Sequence, residues 1–319
     1  PLDVSFRGEM YQSGAAARGP GVRREFFQVA LRAFLGAFFV PAANRSFWFS
    51  EVRQPAAYFA CGVLLAQVLL HRELIPNVFP WPLYDLLLRD LGSPRASRTL
   101  TLQHLAAVSP EEANSVSKVQ EFEGEDIAEV FGDLGWERVP CLEGKALTQA
   151  TKSEFVSAYV HWSLGEKIED RYRHFSDGFL AVLGSSVMIQ QMVDARQLER
   201  IVCGGDAPVD VAAIRRFAVI QHWDDADAHY VEAFWSVLAG LPGDAKLQFV
   251  VFVTGSDRMP LQGWEELRVK IQKNGTGDDR LATAYTCFSL LLLPRYSCVD
   301  VLRQRLLEAV AGAQGFGLQ

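Results

Sequence analysis

The sequence predicts an α+β chain of two globular units, a larger and mostly helical one followed by a smaller one that mixes helices with strands. Three observations lead there. At 319 residues and 49% hydrophobic content the chain is long enough for two cores. Ahead of residue 203, apolar residues recur at helical spacing. Strand-like runs gather only beyond a stretch rich in Gly, Asp and Pro at 203–210 (CGGDAPVD).

Each element has its own reason. Residues 22–40 read as an apolar helix that Pro41 stops, and 55–71 as a second helix with Pro55 in its first turn. The prolines of 77–82 (NVFPWP) keep that segment extended, and helical spacing returns over 83–91 until Gly92. Residues 109–144 are acidic and less apolar, which predicts a smaller appended subdomain, and helices are expected at 152–160 and 163–179. The candidate hinge is Gly204, Gly205, Asp206, Ala207 and Pro208, dividing the chain into 1–205 and 206–319. Beyond it come a helix near Ile214, an aromatic helix around Phe234 and Trp235, and a β-branched run at 247–254 (LQFVVFVT) that reads as a strand. Further strand-like runs lie at 267–271 and 289–293. A final amphipathic helix at 299–311 carries Val299, Leu302, Leu306 and Val310 on one face.

Composition excludes several classes. A net charge of -7 with no Lys/Arg block gives no footprint for nucleic acid. The most apolar stretch, 56–70, contains Gly62 and Gln67 and falls short of the ~20 residues that span a bilayer. No basic leader followed by an apolar run opens the chain, and a start at Pro1 rather than Met is what a fragment would show. The 5 cysteines are odd in number and lack C-x-x-C spacing, which fits a reducing cytosolic or nuclear compartment.

The most informative segment is 280–288 (RLATAYTCF), which places Cys287 in a loop just ahead of the apolar run 290–293. A thiol there can be reached from solvent while the neighbouring strand holds it, as nucleophilic chemistry requires. Taken without context, a lone cysteine is more often a small core residue. Other features carry less. Residues 222–229 (HWDDADAH) offer imidazoles and carboxylates, but not at an established metal spacing, and read better as a solvated loop entering a helix. Thr254-Gly255-Ser256 and 274–277 (NGTG) lack the following Lys of a phosphate loop and read as turns. Cys298, beside a helix start, reads as structural.

From Phe252 onward, FVTGSDRMPLQGW, then GDDRLATAYTCFSLLLLPRYSCVDVLRQRLLEAV, then the terminal GFGLQ resemble the end of the HECT family of ubiquitin ligases in order and spacing. That family shows a Thr-Gly turn, a Leu-Pro-Thr-x-His-Thr-Cys-Phe loop, a Leu-Pro-x-Tyr turn, a Leu-rich helix and a Gly-Phe-Gly ending. Weaker similarity covers the rest: 6–9 (FRGE) and 21–27 (GVRREFF) resemble the opening motif with an insertion at 15–20. Residues 148–155 resemble a Val-Thr-Asn-x-x-Lys segment, and Cys203-Gly204 the pair before the interlobe hinge.

The resemblance implies a bilobal HECT domain whose N-lobe ends near residue 205 and whose C-lobe carries Cys287 as the thioester-forming nucleophile. It implies supporting roles for Thr283, Tyr285, Thr286 and Phe288, and a lobe-steadying role for Phe316. The partners it implies are ubiquitin, a ubiquitin-conjugating enzyme bound at 109–144, and a substrate lysine, with no cofactor and no metal. Two positions depart from the pattern: Tyr285 stands where the family usually has His, and Ala282 where it has Pro. Tyrosine donates a hydrogen bond but does not exchange protons near neutral pH. Two alternatives stay open, a HECT-like module that binds without turning over and a cysteine hydrolase pairing Cys287 with one of the 6 histidines.

Overall fold

The computed structural model describes residues 20–75, 78–184, 186–260 and 262–313. The opening motif at 6–9 therefore lies outside the described residues. The chain divides into two compact units: Ala30–Arg72 with 78–202, and Cys203 onward, grouped with 20–29 and 73–75.

Helix α1 (Pro20–Phe38) stops two residues short of the expected end. Pro41 disfavours helical geometry in the residue before it, and Phe39–Pro41 leave the helix as β1, paired antiparallel with β2 (Phe47–Phe49). Helix α2 (Pro55–His71) starts on its proline and closes on Arg72 in the left-handed conformation. Helix α3 (Trp81–Asp90) begins earlier than expected, because Pro82 belongs to its first turn. Then come α4 (Leu102–Val108), α5 (Pro110–Glu121), α6 (Ile127–Phe131) and α7 (Lys152–Leu164). The single helix expected at 163–179 is broken at Gly165, and α8 (Glu169–Leu183) follows a 3-10 turn. Helices α9 (Val187–Met192) and α10 (Ala195–Cys203) complete the run.

The larger unit is organised by α2 against α8. A Cβ on Gly62 would fall 2.0 Å from the Phe175 carbonyl oxygen, and one on Gly178 would fall 2.0 Å from that of Phe59. Glycine at both positions thus lets the two backbones touch. Around the crossing, Phe39, Phe49, Tyr58, Phe79 and Phe175 meet mostly edge to face, the centroids of Phe39 and Phe79 being 5.1 Å apart. The acidic stretch after Ser109 is well folded. Ser109 caps α5 by accepting from the Glu112 N–H, Val116, Val119 and Ile127 are buried, and Trp136 sits edge-on to Phe155 and Tyr159 of α7.

The smaller unit contains α11 (Val211–Arg216), β3 (Val219–Gln221), α12 (Ala228–Ala239), α13 (Gly243–Thr254), β4 (Lys270–Thr276), β5 (Thr283–Tyr285), β6 (Leu290–Arg295) and α14 (Val299–Ala313). Its sheet has the order β3-β4-β6-β5, with β5 alone antiparallel. One expectation is overturned here: 247–254 is helical. Phe249, Val250, Val253 and Thr254 are buried, a helical rather than alternating set, so core packing outweighs the β preference of the valines. The strand expected at 267–271 begins only at Lys270, after a 3-10 turn at Trp264–Leu267. The expected turn at 274–277 instead enters β4, where the register with β6 shifts between Lys273 and Thr276 as a bulge. In α14, Leu302, Leu306 and Val310 face the core as expected, while Val299 is exposed. No helix among the described residues is long and apolar enough to cross a membrane.

Candidate active site

Cys287 occupies a one-turn 3-10 segment, Thr286–Phe288, that links β5 to β6. The strands on either side are hydrogen-bonded neighbours, Tyr285 opposite Leu290 and Thr283 opposite Leu292. Ser289 closes the turn with φ 48, its N–H donating to the Thr286 carbonyl at 3.2 Å and its own carbonyl accepting from the Lys270 N–H at 2.8 Å. The parallel ladder between β4 and β6 thus begins where the turn ends. Leu291 and Leu293 anchor β6 in the core.

The residues flanking the cysteine face outward: Tyr285 is 57% exposed, Phe288 39%, and Thr283 and Thr286 are exposed too. The side chain of Cys287 itself lies outside the described residues. Ala282, at the family's proline position, is buried in the core of this unit. Behind the turn stands the end of α13, where Gly255 adopts φ +74 and its missing Cβ would lie 3.5 Å from the Thr286 Cβ. In the sequence 254–256 reads only as a turn; that it backs the cysteine segment is tertiary information.

The other expected site residues are placed as follows. Gly204 to Pro208 follow α10 at the start of the smaller unit, Gly204 with φ +76. Phe316 lies outside the described residues. Among the remaining cysteines, Cys61 is sealed in the larger unit and burial pushes its thiol far up, Cys203 is also buried, and Cys141 and Cys298 are exposed.

The 222–229 segment is less solvated than expected. Asp227 is buried, accepting from Lys273 Nζ at 2.6 Å and from Arg295 Nε at 2.7 Å. The Lys273 hydrogen bond, with that from Arg295, holds the Asp227 carboxyl below its usual range, and the same carboxylate raises Lys273. Trp223 stacks on Tyr230 at 5.4 Å and donates to the Ile271 carbonyl. These contacts tie the segment to β4 at Ile271 and Lys273 and to Arg295, the last residue of β6, at the end away from the turn.

A short cysteine turn thus joins two neighbouring strands of a mixed sheet, in a unit that follows a mostly helical one in sequence. The chain belongs to the HECT-domain (ubiquitin-transferase) family, which matches residues 24–319, and it is a HECT-type catalytic domain of the E3 ubiquitin ligase class. It is 28% identical over 336 residues to the human "Probable E3 ubiquitin-protein ligase HERC3", covering 100% of this chain and 30% of that protein. The human "Probable E3 ubiquitin-protein ligase HERC4" is 29% identical over 338 residues, again 100% of this chain and 30% of the relative. The human "Probable E3 ubiquitin-protein ligase HECTD2" is 27% identical over 341 residues, 100% of this chain and 43% of the relative. The chain thus spans 30% to 43% of the length of these curated relatives.

Proposed function

We propose that this domain accepts ubiquitin from a conjugating enzyme as a thioester on Cys287 and passes it to a substrate lysine. In the first step the Cys287 thiolate attacks the thioester carbonyl and the conjugating enzyme's cysteine leaves as its own thiolate. In the second a lysine amine attacks the new thioester, loses a proton to solvent, and releases Cys287. Exchange between thioesters is nearly balanced in energy, so the protein's contribution is chiefly proximity and orientation. The observation that carries this reading is the turn: exposed neighbours on both sides of Cys287, held by a strand whose Leu291 and Leu293 are buried.

The remaining roles follow the family. The conjugating enzyme docks on 109–144 of an N-lobe, the joint to the C-lobe lies in the Gly204 to Pro208 region, Phe316 steadies the lobes, and Thr283, Tyr285, Thr286 and Phe288 shape the loop. A non-reducing gel against a panel of charged conjugating enzymes tests the central step. The expected result is a ubiquitin adduct that disappears with reducing agent and in Cys287→Ala, and no adduct with any conjugating enzyme would refute it. Tyr285, exposed beside the cysteine where the family has His, and Ala282, where it has Pro, are the features that favour a binding module without turnover. Such a module would give no adduct in the same gel.

A further inference from the structure

The residues expected to form the hinge are tied to the smaller unit. Gly205 and Met259 form an isolated antiparallel bridge, the Gly205 N–H donating to the Met259 carbonyl at 2.7 Å and the Met259 N–H to the Gly205 carbonyl at 2.9 Å. The Asp206 carboxylate, 87% exposed, pairs with the guanidinium of Arg258, whose side chain is only 8% exposed. The Pro208 carbonyl accepts from Trp264 Nε1 at 2.8 Å, and Trp264 belongs to the core of this unit. Gly204 is hemmed in as well, since a Cβ there would lie 2.7 Å from both the Arg258 Cβ and the Met259 carbonyl oxygen.

The segment that makes these contacts runs without a break to the cysteine turn. Ser256 Oγ accepts from the Arg258 N–H at 3.2 Å, Thr254 Oγ1 accepts from the Ser256 N–H at 3.2 Å and donates to the Val250 carbonyl, and Gly255 backs Thr286. Thr254 and Ser256 are both buried. One six-residue segment, 254–259, therefore has one end on the turn and the other on the hinge.

We infer that 254–259 is a strap that, together with Trp264 on Pro208, makes Gly205 to Pro208 part of the body carrying Cys287, confines the joint to the one or two residues before Gly205, and uses Arg258 as its positioning residue. A residue with both backbone groups bonded and its neighbour ion-paired has no soft torsions to contribute, and each residue released adds two. Reach and local concentration then change together. Lengthening a flexible joint from roughly two residues to roughly six dilutes the tethered group about fivefold by the loop-closure law. The strap keeps the joint short. The functional arm of this inference rests on the reading of Cys287 as the thioester site; the structural arm does not.

Amide hydrogen exchange on the intact domain tests the structural arm. Gly205 and Met259 are expected to exchange at least about a hundredfold slower than an unstructured chain, and to lose about tenfold of that protection in Arg258→Gln and in Asp206→Asn. Exchange of both amides at unprotected rates in the wild type overturns the proposal. Steady-state transfer tests the functional arm. In the same variants kcat should fall about fivefold while KM for the charged conjugating enzyme, which docks on the larger unit, holds, and Arg258→Lys should restore most of the rate. Unchanged kcat in a variant that has lost amide protection overturns the positioning role. Because Asp206 is exposed, Asp206→Asn keeps the test valid should Arg258→Gln fail to fold. If the wild type forms no adduct, the reading of Cys287 fails, and the exchange data still decide whether the strap exists.

Discussion

The two units close their interiors by different means. In the larger one the tightest contact is backbone on backbone, Gly62 and Gly178 letting α2 and α8 meet with no side chain between them. In the smaller one the core is a layer of side chains, Leu291 and Leu293 of the central strand against Phe234, Phe249 and Leu306 of the helices. A charged clasp, Asp227 between Lys273 and Arg295, holds the two inner strands of its sheet to the segment ahead of α12. Side-chain layers adjust by rotamer changes when an atom is lost, whereas a backbone crossing has nothing to adjust when an atom is gained. Damage should therefore be all-or-none in the first unit and graded in the second.

The strongest way to break that contrast is Gly178→Val. Its Cβ alone would sit 2.0 Å from the Phe59 carbonyl oxygen, so the variant should lose more than about 4 kcal/mol and the larger unit should fail to fold. Exchange mass spectrometry that found 55–71 and 169–183 still protected would refute the crossing. A smaller loss is expected from Leu291→Ala, about 2–5 kcal/mol in the unfolding free energy of the smaller unit, read from peptides of β4 and β6. Smaller still is the effect of pH on the clasp. A carboxyl held below its usual range gives stability that is full above its unfolded value near 3.8 and is lost as pH falls through the lower folded value. Asp227→Asn should therefore flatten the fall in stability of the smaller unit below about pH 4 and leave the acid limb of the larger unit as it was, measured by acid titration of the same peptides.

Local chemistry was legible where it decided the outcome. Pro55 with the apolar run behind it marks α2 to its ends, and Leu302, Leu306 and Val310 mark the buried face of α14, because in both cases the pattern and the packing ask for the same residues. The cysteine turn was legible as a motif, through the order of residues around Cys287 rather than through any spacing rule. Helix α13 runs against its local preference, since Val250, Val251 and Val253 favour strand. The signs against that were the Gly243 start and the Gly255 stop, which bracket a helical length. The break of 163–179 has a local sign in Gly165 itself, whereas the contact of Gly255 with Thr286 had none. That contact depends on what the rest of the chain presses against Gly255.

Strand β6 has the cysteine turn ahead of it and the Asp227 clasp at its last residue, Arg295. Its length works as a ruler: with Arg295 pinned and leucines inside, the turn sits a set number of residues away. Adding or deleting one residue between 290 and 294 would shift Cys287 by about 3.3 Å and turn the leucines to the wrong face. Residues at the clasp would in this way meter where the 286–288 turn is placed.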